Sequence, residues 1–333
     1  MNIPKYLLGL SGVAVALSLG ACEKPYHEPA ERYVLVGANI NLPYWQEAQA
    51  GLIDIAKTIG VKVAMVGPST LAPDEELKAF NQVVDEKPSG ILVSVSDAGL
   101  FREAIDKAIL QGIPVICMDA DSPDSRRVLF IGTDNFRAGQ ESGKIVAKVL
   151  AGTGNVAVIG LAAQLNTADR RRGLEDALKQ YPGIKIVSSI DDKGDPAVAD
   201  DAVKELIQSK KQKIDGIVGL EASGGQGAAD ALHLLDMTGK VKIVAFDKEP
   251  ATLDAIERGW ITATITQKPY VMAFYGVRFL DDLHHNAVHE FKDWATAPAD
   301  PLPTFVDTGT AVIDSANLAT FRKALAEHPK PGL

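Results

Sequence analysis

The sequence predicts an α/β protein of two similar lobes, each a doubly wound parallel sheet with helices on both faces, and a ligand cleft between them. Three observations predict it. Short apolar runs alternate with helical patterns over residues 33–313, the signature of parallel βαβ units. The alternation runs twice, once on each side of Asn135, with no low-complexity linker between the halves. In the stretch 113–140, two buried-strand runs each end in polar residues: Asp119 and Asp121 after 114–118, then Thr133, Asp134 and Asn135 after 128–132. Open α/β sheets hold ligands at the carboxyl ends of their strands. Asp119 is read as such a ligand residue. Asp121 stays open between that role and a turn, because Asp and Pro crowd there.

The elements follow in order. A strand at 33–38 leads into a helix over 43–59, whose apolar positions fall three and four apart. Strand 61–66, helix 74–85, strand 90–95 and helix 100–111 continue the pattern up to the two runs just described. The second half begins with a helix to residue 150, strand 155–160, helix 168–180, strand 185–190 and helix 196–208. Strand 216–220, helix 225–235, strand 242–246, helix 250–258, strand 263–265 and helix 271–286 follow, and a last strand covers 305–313. Right-handed crossovers put the strand-to-helix loops of one lobe on one edge, so two facing edges form a cleft.

At 333 residues the chain can bury a core in each of two domains. A net charge of -9 gives no footprint for nucleic acid or for anionic lipid. No helix-turn-helix precedes the first strand. Residues 1–21 read as a signal peptide: Lys5 opens it, and 6–19 are apolar but short for a membrane span. It ends Leu19-Gly20-Ala21-Cys22, which resembles the lipobox of bacterial lipoproteins, with cleavage before Cys22 and lipid on its thiol. The expected location is the periplasm or the outer face of the cell membrane, with the lipid as the membrane contact. Residues 22–32 are a polar tether with Pro25 and Pro29. Cys117 sits in an apolar run and reads as inert core.

Candidate binding residues sit in the predicted loops. Asn39 and Asn41 offer donor and acceptor together, suited to hydroxyl-rich ligands. Tyr44 and Trp45 open a helix and could cover a sugar ring or pack the helix onto the sheet. Arg170, Arg171 and Arg172 gather near a helix start, where cations oppose the dipole. At least one therefore needs a partner; solvated or structural roles suit Arg171 and Arg172. Glu221 ends a strand before Ser223-Gly224-Gly225, which lacks the Lys-Ser/Thr of a P-loop and the spacing of a dinucleotide loop. Asp247 and Gln267 end two further strands.

No catalytic constellation or cofactor motif is present in the pattern. His284, His285 and His289 could be tried as a metal site, but their polar neighbours read as solvated surface. The acidic residues have no evident acid/base partner set, and no Ser occupies a nucleophile elbow. The chain is read as a non-enzyme without metal or cofactor.

Taken together, the segments NINLPYW, GIPVICMDADSPDSRR, FIGTDN, NTADRRRG, IVAFDKEPATLDAI and TATITQKPY resemble the type 1 periplasmic sugar-binding proteins of the ribose-binding group. The likeness runs from Tyr33 to Ile313. It implies two Rossmann-like lobes of the periplasmic binding protein-like I fold, joined by three hinge crossovers near Asn135, Gln267 and residues 300–305. The implied lobes are 33–134 plus 268–300, and 135–267 plus 301–333. It implies hinge closure on one monosaccharide, delivery to an ABC permease, and a monomer. Ligand contacts fall by position on Asn41 or Asn39, Tyr44, Trp45, Asp119, Arg170, Glu221, Asp247 and Gln267. Departures from the pattern are Leu42 for an Asn, Ala120 for a second Arg, and Glu221 for an Asn. They remove a cation and add an anion, which favours a neutral pentose or hexose over a uronate. The alternative is a protein that presents a sugar or a furanose-like autoinducer to a chemoreceptor or sensor kinase.

Overall fold

The computed structural model describes residues 26–161, 163–288, 290–299 and 301–327. The expected signal peptide, Cys22, His289 and His328 lie outside the described residues. The first sheet holds β1 (Arg32–Val36), β2 (Lys62–Val66), β3 (Gly90–Val93), β4 (Val115–Met118) and β5 (Leu129–Gly132). The second holds β6 (Thr153–Ile159), β7 (Gly183–Ile190), β8 (Gly216–Gly219), β9 (Lys242–Phe246) and β10 (Ala263–Thr266). The helices between them are α1 (Pro43–Ile59), α2 (Pro73–Asp85), α3 (Ala98–Leu110), α4 (Asn135–Val149), α5 (Leu165–Leu178), α6 (Pro196–Gln208), α7 (Ala222–Leu234), α8 (Pro250–Glu257) and α9 (Pro269–His284).

The two sheets repeat one order. The first runs β11-β5-β4-β3-β1-β2 and the second β12-β10-β9-β8-β6-β7, where β11 is Phe305–Asp307 and β12 is Ala311–Asp314. Strands β3, β4 and β8 are buried throughout, and β9 from Ile243 onward, as central parallel strands covered on both faces must be. Each sheet carries an apolar cluster on each face, built around Leu35 and Phe80 in one lobe and Ile243 and Leu174 in the other. Cys117 lies in the first lobe's core, and burial pushes its thiol up.

The expected strand 305–313 is corrected: it is two strands in two sheets. β11 pairs parallel with β5, while β12 pairs antiparallel with β10. Gly309 has φ +74°, a left-handed turn that breaks the extended run. The third crossover is therefore Thr308-Gly309-Thr310, later than the expected 300–305, and residues 305–307 pair with the first sheet rather than the second. A further helix, α10 (Leu318–Glu327), follows β12.

The three crossovers lie side by side. Thr308 N–H donates to the Gly132 carbonyl at 2.8 Å. Asp134 N–H donates to Asp307 Oδ1 at 3.1 Å, and Thr133 Oγ1 donates to Gln267 Oε1 at 2.9 Å. His285 corrects the solvated reading too. Its side chain is only 14% exposed and reaches Glu31, because α9 ends against the segment that leads into β1.

Candidate functional site

The first wall of the cleft begins with a turn. Leu42 N–H donates to the Asn39 carbonyl at 3.2 Å, so Asn39 and Leu42 face inward and line the cavity. Asn41, at the turn's crest, is exposed and is not part of that lining. Of the two Asn candidates, the structure brings Asn39 to the cavity and not Asn41. Asn39 Oδ1 is buried with no hydrogen-bond partner among the described residues. Trp45 is 4% exposed and packs in the core, while Tyr44 meets it edge to face at 5.3 Å. Both touch the cavity, but Trp45 is chiefly the packing residue and Tyr44 the polar one.

Asp119 and Asp247 occupy matching places after β4 and β9. Both have left-handed backbone, φ +70° and +66°, which Asp tolerates better than most residues. Each N–H donates to the neighbouring strand, Asp119 to Ile131 at 3.0 Å and Asp247 to Ile265 at 2.8 Å. The chain thus turns sharply while the carboxyl stays over the sheet edge. Asp119 Oδ1 accepts from Tyr44 Oη at 2.6 Å and Oδ2 from Ser94 Oγ at 3.3 Å. Asp247 Oδ1 accepts from Gln267 Nε2 at 2.9 Å.

Arg170 comes from α5, which starts at Leu165, three residues before its expected start. Gly139 on α4 and Gly173 on α5 let these helices touch. A Cβ at 139 would lie 2.0 Å from the Arg170 carbonyl oxygen, and one at 173 lies 2.0 Å from that of Phe136. The close crossing delivers Arg170 to the cleft at 1% exposure. Its Nε donates to Asn135 Oδ1 at 2.8 Å and its Nη1 to the Leu220 carbonyl at 2.7 Å. The guanidinium lies over the Phe246 ring, 4.6 Å from the centroid. Nη2 is buried and makes no hydrogen bond among the described residues. Arg171 pairs with Glu175 and Arg172 with Asp169 at the surface, in keeping with the solvated or structural roles expected of them.

Glu221 caps α7, accepting from Ser223 N–H at 2.8 Å and from Gly224 N–H. With Asn39, Tyr44, Trp45, Asp119, Arg170, Asp247 and Gln267 it lines one cavity, about 590 Å³ of space with the open mouth included. Asp121 takes no part. Arg127 grips both its oxygens, and the pair lies outside the cavity lining. Asn166, Gln164 and Ser223 line the cavity without having been singled out in the sequence. Asn166 was findable: it stands four residues before Arg170, on the same helix face.

The sequence profile described as "Periplasmic binding protein domain" matches residues 33–286. The chain belongs to this family. Among its relatives is the D-allose-binding periplasmic protein of Escherichia coli (strain K12), 27% identical over 90% of this chain and 96% of that one. A sugar-binding protein of a sugar ABC transporter from Bacillus halodurans superposes with a TM-score of 0.80, at 31% identity, covering 87% of this chain and all of the other. AraP, an arabinose binding protein from Geobacillus stearothermophilus, gives 0.74 at 33% identity, covering 88% and 99%.

In this periplasmic binding protein, burial dominates the electrostatics. It pushes Asp119 above the usual carboxylate range, against the Tyr44 hydrogen bond and the Arg170 charge. It raises Asp247 to about 6, again opposed first by Arg170. Glu221 is pushed well up by burial and by the neighbouring Asp192 carboxyl. What remains is a pocket of acceptors around a buried donor fork, closed on one side by Tyr44. Such a set binds hydroxyls by charge-assisted hydrogen bonds.

Proposed function

We propose that the protein captures a neutral monosaccharide, a pentose or hexose, between its lobes and delivers it to an ABC permease. The observation that carries this reading is a pair of unsatisfied polar atoms on opposite walls of one cavity: the Arg170 Nη2 donor and the Asn39 Oδ1 acceptor. Buried polar groups in native proteins are normally paired, so a ligand offering both an acceptor and a donor completes them. A sugar hydroxyl does both. Asp119, Asp247, Gln267 and Glu221 hold further hydroxyls, and Tyr44 covers part of the ring. The names of the relatives, D-allose-binding and arabinose binding, support the same ligand class.

Binding without turnover fits a family of solute-binding proteins. Export with a lipid on Cys22, and function as a monomer, complete the proposal. Among the described residues no helix is long and apolar enough to cross a membrane.

The test is a thermal-shift screen against pentoses, hexoses, polyols and amino acids. A ligand bound only by the folded state raises Tm by mass action. A shift with one or two neutral sugars is expected. Silence across all sugars, with a shift from an amino acid, overturns the ligand class. Intact mass of the membrane-extracted protein, read for a diacylglyceryl group on Cys22, tests the anchor.

A further inference from the structure

At the far end of the first lobe, two pieces of chain that are remote in sequence bring four metal-binding side chains together. His27 and Glu31 lie just before β1; Asp281 and His285 lie at the end of α9. One donor atom from each falls within 4.8 Å of all the others. His27 Nε2 is 3.1 Å from Asp281 Oδ1, and His285 Nε2 is 3.1 Å from Glu31 Oε2 and 3.6 Å from Asp281 Oδ1. In a tetrahedral zinc site with bonds of about 2.0–2.1 Å, neighbouring ligand atoms stand about 3.3 Å apart. The cluster already approaches that spacing.

We propose that His27, Glu31, Asp281 and His285 form a zinc-class divalent cation site that clasps the leading segment to α9. Three further observations support it. Asp281 is fully buried, and its Oδ2 makes no hydrogen bond among the described residues. Two carboxylates converge here with two imidazoles, and burial of paired carboxylates is costly without a compensating cation. The Arg278 guanidinium stays 4.0 Å from Asp281 and 3.1 Å from Asp282, on the rim. A divalent ion with two neutral imidazoles cancels both carboxylates at once.

The ligands are also oriented from behind, as metal ligands usually are. Tyr33 Oη donates to Asp281 Oδ1 at 3.0 Å, and Glu28 N–H donates to Glu31 Oε1 at 2.6 Å. The Tyr26 ring stacks on His285 at 4.3 Å. Two imidazoles and two carboxylates favour zinc over the hard ions magnesium and calcium, which take oxygen alone. The site lies at the amino ends of the strands, whereas the sugar cleft lies at their carboxyl ends. The cation therefore stabilises the lobe without touching the sugar.

The experiment uses the full chain without a polyhistidine tag, stripped with EDTA, loaded with zinc chloride, desalted and analysed for metal. The wild type retains stoichiometric zinc, and zinc raises its Tm by several degrees while the thermal response to sugar is unchanged. His285→Ala and His27→Ala each lose the retained zinc and the zinc-dependent Tm gain. His233→Ala, which alters a histidine stacked on Trp260 in the other lobe, keeps both. Should His285→Ala fail to fold, His27→Ala decides, since His27 precedes the first strand. Folded wild type that retains no zinc, or retention unchanged in His27→Ala, overturns the proposal.

Discussion

Burial sets the Asp247 carboxyl near 6, so it is an ionised acceptor at neutral pH and a protonated one in mild acid. If a sugar hydroxyl donates to the ionised form, affinity is full above about 6 and falls as pH drops through it, by up to about tenfold per pH unit. Titration of sugar affinity between pH 7 and 5 measures this. Asp247→Asn keeps the shape and the Gln267 contact but loses the charge. A charged hydrogen bond contributes about 1.5–3 kcal/mol, so Kd rises about 10–100-fold, and its fall-off in acid flattens. A fold-intact variant with unchanged affinity removes Asp247 from the site. Glu76 makes a separate, stability argument. It is fully buried on α2, accepts from Ser96 and leaves Oε1 without a partner. Burial raises its carboxyl from 4.5 to about 8. A raised carboxyl stabilises the fold while it holds its proton, so that stability is complete below 4.5 and lost as pH rises through about 8. Glu76→Gln removes the titration. It melts above the wild type at pH 8.5, by on the order of 2 kcal/mol, and close to it at pH 5. Parallel melting curves at both pH values would refute the assignment.

Between elements, the contact that matters most to the site is the α4/α5 crossing. Gly139→Ala puts a methyl 2.0 Å from the Arg170 carbonyl oxygen, so α5 must move and Arg170 with it. Overpacking of this kind costs about 1–3 kcal/mol. Both Tm and sugar affinity fall together. Gly99→Ala on α3 is the control: its nearest neighbour is 3.4 Å away, and it should hold or raise Tm with affinity unchanged. The alternation of strand and helix, and so the fold, was legible because apolar runs such as 90–93 and 115–118 have only one fate in a covered parallel sheet. Asp119 and Asp247 were legible for the same reason, since both stand where such runs stop. The split of residues 305–313 was not. A short extended stretch reads alike in either sheet, and only its pairing with β5 and β10 decides its place. Asn39 and Asn41 look equal in the sequence, because only the folded turn decides which of them lines the cavity. His27 was invisible as a partner of His285 because sequence patterns do not register neighbours 258 positions apart.

Across the whole molecule, one cross-cleft contact bears directly on the hinge closure that the sequence resemblance implies. Lys248, just after Asp247, donates to Glu47 Oε1 on α1 at 2.7 Å. Nearby, a Cβ at Gly194 would lie 3.5 Å from Leu71 of the other lobe, so the lobes meet on both sides of the cavity. The three crossovers are tied by Thr133–Gln267 and Asp134–Asp307, so a hinge between the lobes would run through all three together. Closure then shifts a population, and a sugar that fits only the closed state draws it there. Lys248→Ala removes a partly exposed ion pair, with side chains 19% and 30% exposed, worth about 0.2–1 kcal/mol. If the pair forms only on closure, that energy leaves the closed state alone. The apparent Kd then rises by about twofold to fivefold, with little change in the Tm of the sugar-free protein. Small-angle scattering shows a larger radius of gyration without sugar and the wild-type value at saturation. Glu47→Ala gives the same shift, and the double variant adds nothing further, since both remove one interaction. Affinities that fall additively, or scattering identical to the wild type without sugar, would mean that the pair also persists in the open state and takes no part in closure.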